Sequence, residues 1–136
     1  MLEVSGLSSH YGRIQALAGI DVAVQVGELV ALVGANGAGK STLLRTLSGV
    51  QPASGGRVRF AGEDITRERA DQRVRRGIVQ VPEGRQVFGP LTVEDNLRLG
   101  AYRRGRRAWP RSLERVYALF PVLAERRRHE IGRAHV

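Results

Sequence analysis

Gly34-Ala35-Asn36-Gly37-Ala38-Gly39-Lys40-Ser41-Thr42 is the stretch on which the reading of this chain turns. It fits the spacing G-x-x-x-x-G-K-[ST] in full. Ahead of it, the apolar run Leu29-Val30-Ala31-Leu32-Val33 predicts a buried strand; behind it, Ser41-Thr42-Leu43-Leu44-Arg45-Thr46-Leu47 predicts the start of a helix. Glycines let consecutive backbone N–H groups turn inward without Cβ clashes and cradle phosphate oxygens. The helix N-terminus adds unpaired N–H donors and the positive end of a dipole. In such a cradle Gly34, Asn36, Gly37, Ala38, Gly39 and Thr42 surround the phosphates, Lys40 bridges the β- and γ-phosphates, and the Ser41 hydroxyl holds Mg²⁺. A Gly-rich turn matching by chance is the bland alternative, and strand, loop and helix in that order argue against it. The glycines do not fit G-x-G-x-x-G, so a dinucleotide fold is not the competitor. The stretch predicts binding of a nucleoside triphosphate.

The 136 residues are enough for one domain or part of a larger one. No apolar run approaches bilayer length, and Met1-Leu2-Glu3-Val4 does not open a secretory signal. Zero cysteines exclude disulfides and thiolate metal sites. The net charge of +9 is almost wholly arginine, because Lys40 is the single lysine among 22 basic residues. That pattern points to a GC-rich coding bias more than to an anionic partner. Arg103, Arg104, Arg106, Arg107 and Arg111 form one cluster, and Arg126, Arg127 and Arg128 another. Nucleic-acid binding would call for aromatic stacking platforms beside the charge, and Trp109 and Tyr102 stand isolated. The expectation is a solvated helical face with Trp109 packed inward and no nucleic-acid partner.

Along the chain, Leu2-Glu3-Val4 and Ile20-Asp21-Val22-Ala23-Val24 alternate as half-buried strands do. The helix after the loop is expected to reach about Ser48 and stop at Gly49. Arg57-Val58-Arg59-Phe60 predicts a strand and Ala61-Gly62-Glu63-Asp64 a tight hairpin turn. Thr66 is placed as the N-cap of a polar helix to about Arg75, with Arg69 and Arg73 on its wet face. Ile78-Val79-Gln80-Val81 reads as a buried strand ending at Pro82. Thr92-Val93-Glu94-Asp95 matches the capping signature and opens a helix. Leu113, Val116, Tyr117, Phe120 and Leu123 then recur at helical spacing as a core stripe, with Pro121 as a break.

Taken together, these residues resemble the front half of an ATP-binding-cassette (ABC) ATPase. The resemblance rests on the loop, on Ser54-Gly55-Gly56-Arg57-Val58 before a peripheral strand, and on Val81-Pro82-Glu83-Gly84-Arg85 where the family places its Q-loop. It implies an α/β P-loop fold of the ABC ATPase type, with an N-terminal antiparallel β subdomain and the start of a helical subdomain. The nucleotide core would span 1–84 and the helical subdomain 85–130. Tyr11 resembles the aromatic that stacks on adenine; an ordinary loop aromatic is the alternative. Glu83 stands where the general pattern has glutamine, which implies a role near Mg²⁺ and the attacking water. As an anion it could strengthen Mg²⁺ binding or repel the γ-phosphate, and the residues do not choose between these. Gln86 is out of register for that role.

Val-Pro-Glu-Gly-Arg is similar to the version in ATP-binding subunits of branched-chain amino-acid importers. Leu91-Thr92-Val93-Glu94-Asp95-Asn96-Leu97 and Tyr117 to Arg126 extend the likeness to about residue 130. The resemblance implies ATP and Mg²⁺ as cofactors and a peripheral place on the cytoplasmic membrane face. Its implied partners are membrane permeases, a second ATPase subunit and, indirectly, a solute-binding protein. A soluble non-transport cassette ATPase and a non-catalytic nucleotide-binding fragment are the alternatives. A urea or short-amide importer shares the pattern too.

The 136 residues contain no apolar strand ending in an Mg²⁺-binding aspartate with a following glutamate, and no Leu-Ser-Gly-Gly-like signature. Phosphoryl transfer depends on positioning and charge stabilisation, so this stretch is expected to bind nucleotide without turnover. Ile131-Gly132-Arg133-Ala134-His135-Val136 resembles the translation of a sequencing adapter and is expected to be non-native, which leaves His135 uninformative. Apolar faces left uncovered would make the stretch marginally folded on its own.

Overall fold

The alternation at Leu2-Glu3-Val4 does begin a strand, but the strand runs on through a bulge to Tyr11. The computed structural model describes residues 1–133, so His135 and the end of the expected tail lie outside the described residues. The chain divides into two compact units, Met1–Gln80 and Val81–Val136, and each is described by itself.

In the first unit β1 (Leu2–Tyr11) pairs antiparallel with β2 (Ile14–Val24) and with β3 (Gly55–Phe60), and β3 pairs with β4 (Glu63–Asp64). The sheet order is β2-β1-β3-β4. The inward residues of β1 are Val4, Leu7 and Ser9, a spacing that skips one residue. The register shifts between Val4 and Leu7 are the cause, since an extra residue in a strand flips the faces that follow it. The Gly6 N–H, taken out of the ladder, donates to Asp21 Oδ1 at 2.6 Å. Opposite the bulge, a Cβ on Gly56 would lie 2.3 Å from the Gly6 carbonyl oxygen, and its φ is +82°. Only glycine fits there.

Helix α1 (Lys40–Leu47) lays Leu43 against the sheet. Val4, Leu7, Leu17, Leu43, Val58 and Ile65 form the buried core, with Leu2, Ile20, Val22, Leu47, Phe60 and Ile78 packed around it. The α1 helix stops before Gly49, whose N–H donates to Thr46 O. Ala61 and Gly62, both at positive φ, make the tight turn between β3 and β4.

Four expectations are corrected, the last of them the wet face given to Arg73. Leu29–Val33 is not a strand: the run has no regular secondary structure, with Leu29 97% and Val33 94% exposed. Ile78–Val81 is not a strand either; Ile78 packs on the core, but Val79 and Val81 are exposed. Both runs have the composition of strands buried on two faces, and among the described residues no strand lies beside them to take their N–H and C=O groups. Third, Thr66 does not cap α2 (Ala70–Arg76). Its hydroxyl accepts from Val58 N–H and donates to Asp64 Oδ1, pinning the β3–β4 turn. Those Thr66 donors also hold the Asp64 carboxyl below its ordinary value. Arg69 is the residue at the α2 N-cap, its N–H donating to Gln72 Oε1.

Arg73 of α2 is buried rather than wet, at 2% exposure. Its Nε donates to Glu68 O at 3.0 Å, Nη1 to Thr46 O and Leu47 O at 2.7 and 2.9 Å, and Nη2 to Ile65 O and Thr66 O at 2.8 and 2.9 Å. Burial pulls the guanidinium below the ordinary arginine value, with Glu68 opposing; it stays charged throughout the range of protein stability. The Glu68 carboxylate is gripped in turn by Arg76, Nε to Oε2 at 2.8 Å and Nη2 to Oε1 at 2.7 Å.

In the second unit α3 (Val93–Gly100) begins at an N-cap Thr92 whose hydroxyl accepts from Asp95 N–H, as its capping signature predicts. Asn96 ties the preceding turn to the helix: its Nδ2 donates to Phe88 O and Thr92 O, and its Oδ1 accepts from Phe88 N–H. Helix α4 (Gly105–Leu119) contains Pro110, and α5 (Pro121–Glu125) starts at Pro121, the predicted break. Trp109 is half-buried, with Arg98 over its ring at 5.6 Å. The segment after α5 returns to the start of α3 through Val93 N–H to His129 O and Ile131 N–H to Leu91 O. No helix among the described residues is long and apolar enough to cross a membrane.

The Glu68–Arg76 pair generates a pH prediction. Arg76 hydrogen bonding holds the Glu68 carboxyl below its ordinary value of 4.5. A depressed carboxylate stabilises the fold above the unfolded-state pKa and loses that contribution as pH falls through the folded one. Wild type should therefore exceed Glu68→Gln by about 1 kcal/mol at neutral pH, with the gap closing below about pH 4. Urea unfolding at several pH values checks this; a gap independent of pH would contradict it.

Candidate functional site

The loop 34–42 is built as its residue types require. Ala38 N–H donates to Ala35 O at 3.2 Å, closing a turn in which Gly37 sits at φ +84°. Gly39 is the N-cap of α1 in the left-handed region, φ 91° and ψ 4°. Its carbonyl accepts the first helical bond, from Leu43 N–H at 2.8 Å. A Cβ at Gly39 would lie 2.8 Å from Ala16 O and 3.0 Å from Leu17 Cδ2. The loop thus rests directly on β2, and the absence of a side chain permits the contact.

The first turn of α1 carries no acidic residue, and its last turn carries Arg45. The positive end of the helix is therefore uncompensated where anions would approach. Lys40 extends back along the loop, its Nζ donating to Gly34 O and, at 2.7 Å, to Ala35 O. This holds a full positive charge over the turn. Ser41 is exposed on the first turn; Thr42 is half-buried, and its carbonyl accepts from the Thr46 hydroxyl at 2.8 Å. Asn36 lies at the outer turn. Gly34, Asn36, Gly37, Ala38, Gly39, Lys40, Ser41 and Thr42 are all brought together here. Exposed backbone donors, a cation and a hydroxyl at a helix start can bind a polyphosphate and its counter-cation.

Tyr11 ends β1 and pairs with Ile14 across a two-residue turn, 41% exposed. Ala16, whose carbonyl touches Gly39, lies two residues along β2 from Ile14. The first unit thus puts the Tyr11 hairpin end and the loop on one stretch of β2. The base of that hairpin end is fastened by Gln51 Nε2 to His10 O and by His10 Nδ1 to Ser54 Oγ. Glu83 belongs to the second unit, exposed in the coil before α3.

For a divalent cation, no group of three or more His, Cys, Asp or Glu side chains exists among the described residues. That donor set does not suit an all-protein metal cage. It does suit Mg²⁺ held by one hydroxyl with the oxygens of a phosphate chain and water, as at Ser41. Arg73 is the residue whose place the pattern reading missed. In α2 it follows Asp71 and precedes Arg75 and Arg76, so composition alone gives it a solvated face, and only the neighbouring carbonyls reveal the burial.

A family model described as ABC transporter matches residues 17–134. The "High-affinity branched-chain amino acid transport ATP-binding protein BraG" of Pseudomonas aeruginosa is 44% identical over 132 residues, 97% of this chain and 57% of that protein. The "Fe(3+) ions import ATP-binding protein FbpC" of Mesorhizobium japonicum is 38% identical over 134 residues, 96% of this chain and 37% of that protein. Among solved structures, one described as an ATP binding subunit of an ABC transporter superposes with a TM-score of 0.79 at 32% identity, over 94% of this chain and 53% of that one. A nucleotide-free ATP-binding cassette gives 0.75 at 27%, over 98% and 58%. The chain spans little more than half the length of these relatives, and less for FbpC.

The contact under the loop is testable with two glycines. Gly39→Ala forces a Cβ onto Ala16 O at an unfavourable φ, and should cost about 1–3 kcal/mol of stability. Gly34→Ala meets only Ala38 Cβ at 3.4 Å and Lys40 Cδ at 3.9 Å, so it should change stability by less than about 1 kcal/mol. Equal losses in chemical denaturation would contradict the assigned contact.

Proposed function

The chain belongs to the ABC transporter family, and from that premise we propose that it binds ATP within the ATP-hydrolysing subunit of a membrane importer. The observation that carries the reading is the loop at the start of α1: a left-handed Gly39 seated on β2, an acid-free first turn and Lys40 held over the turn. In this reading the amides from Asn36 to Thr42 and Gly34 cradle the phosphates and Lys40 neutralises their charge. Ser41 holds Mg²⁺, whose chemistry when bound is to neutralise charge on the phosphate oxygens. Tyr11 would stack on adenine, and Glu83, at the family's Q-loop position, would act on Mg²⁺ and the attacking water. These residue roles come from the resemblance and from the loop's chemistry.

Branched-chain amino acids are the proposed cargo. The support is the likeness to BraG together with Val81-Pro82-Glu83-Gly84-Arg85. More distant relatives are named for other solutes, Fe(3+) and sulfate/thiosulfate among them. The proposed partners are permease subunits and a second ATPase subunit at the cytoplasmic membrane face, with a solute-binding protein engaged indirectly. Residues 1–84 would form the front of the nucleotide core and 85–130 the start of a permease-facing helical subdomain, with Arg85, Val87 and Phe88 at that contact. Leu29–Val33, Val79 and Val81, apolar and exposed, are the residues against which further strands of a longer protein would pack. The 136 residues contain no acidic strand end for hydrolysis, so by themselves they would bind nucleotide without turning it over.

Lys40→Ala should weaken MgATP binding by about 10- to 150-fold, the worth of one or two charge-assisted hydrogen bonds, and should abolish hydrolysis in the whole subunit. Titration with a fluorescent ATP analogue measures the first; undiminished affinity would overturn the reading. In the whole subunit, Glu83→Gln should raise the Mg²⁺ concentration needed for half-maximal turnover. An unchanged Mg²⁺ requirement with faster turnover would assign Glu83 to repulsion of the γ-phosphate instead.

A further inference from the structure

Arg73 is a cation at 2% exposure that the loop chemistry above does not use. Its five N–H groups meet five backbone carbonyls, those of Thr46, Leu47, Ile65, Thr66 and Glu68. Thr46 and Leu47 lie in the last turn of α1, where carbonyls have no partner within the helix and the negative end of the dipole lies. Ile65, Thr66 and Glu68 lie in the segment joining β4 to α2. One planar group therefore fastens the far end of the loop helix to a separate part of the sheet unit. Helix α1 has eight residues, about 12 Å from end to end, and its other end carries Gly39, Lys40 and Ser41.

Burying a guanidinium without a carboxylate of its own is a poor route to stability, because desolvation opposes it and an apolar side chain would fill the space more cheaply. The nearest carboxylate, Glu68, spends its oxygens on Arg76. What the fork supplies that an apolar side chain cannot is direction: five bonds at fixed angles leave α1 little freedom to slide or rotate. We propose that Arg73 is a positioning residue for nucleotide binding, which fixes the C-terminal end of α1 and so holds the loop amides and Lys40 in the arrangement that receives the phosphates. The proposal rests on the ATP-binding reading above. Lysine in its place keeps the charge but has three donors on one nitrogen and no fork, so it restores the position only in part.

The test compares wild type, Arg73→Lys and Arg73→Met by fluorescent-nucleotide displacement with ATP and with AMP. AMP reaches the loop with a single phosphate. Each titration is run at a temperature where circular dichroism shows the sample folded. Arg73→Met should weaken ATP binding by about 2- to 30-fold and AMP binding less, with Arg73→Lys in between. ATP affinity equal to wild type in a folded variant, or equal losses for ATP and AMP, would show a role in folding alone and overturn the proposal. If Arg73→Met does not fold, Arg73→Lys decides: a wild-type ratio of ATP to AMP affinity overturns it. Wild type that binds no ATP overturns the ATP-binding reading, and this one with it.

Discussion

A helix can offer its first-turn N–H groups to an anion only if the chain before it turns sharply and the helix itself is held. Here both conditions meet at the contact of Gly39 with the Ala16 carbonyl and Leu17. The left-handed backbone at Gly39 swings the loop over β2, and the missing Cβ lets it settle there. Leu43, one turn along, joins the core that Leu17, Val4, Leu7 and Val58 form. The loop's conformation is thus coupled to the hydrophobic packing of the sheet. Arg73 closes the other end of the same helix with its five bonds.

The sheet is shaped to serve that contact. The bulge around Gly6, patched by Asp21 and accommodated by Gly56, changes which residues of β1 face inward. Val4, Leu7 and Ser9 all face in because of it, and Ser9 then reaches Pro52 O at 2.9 Å, tying β1 to the segment after α1. Gln51 and Ser54 hold His10 from the same segment. The hairpin end that carries Tyr11 is in this way fixed by the chain that leaves the loop helix.

Much of the first unit was legible in the residues. The glycine turn before α1, α1 with its stop before Gly49 and the β3–β4 turn, like the Thr92 cap of the second unit, each follow from local chemistry that acts over a few residues. The failures have two causes, a missing partner and a competing one. Leu29–Val33 and Ile78–Val81 have strand composition, yet a strand forms only beside a partner, and composition does not say whether one is present. Thr66 has the chemistry of a cap, but Val58 N–H and Asp64 compete for its hydroxyl and win through the tight turn that brings them near.

By itself, then, the amino-acid sequence determined the glycine turn that starts α1, the family and the local stops and starts, because glycine freedom, capping hydroxyls and helix dipoles are short-range properties. Tertiary structure alone decided that Gly39 rests on β2, that the bulge inverts β1 and that Arg73 is buried in a cage of carbonyls. Those facts depend on which backbone groups, from 5 to 27 residues away for Arg73, are brought within reach once the core has closed. The convergence of five carbonyls on one guanidinium is created by packing, and no pattern of residue types announces where it falls.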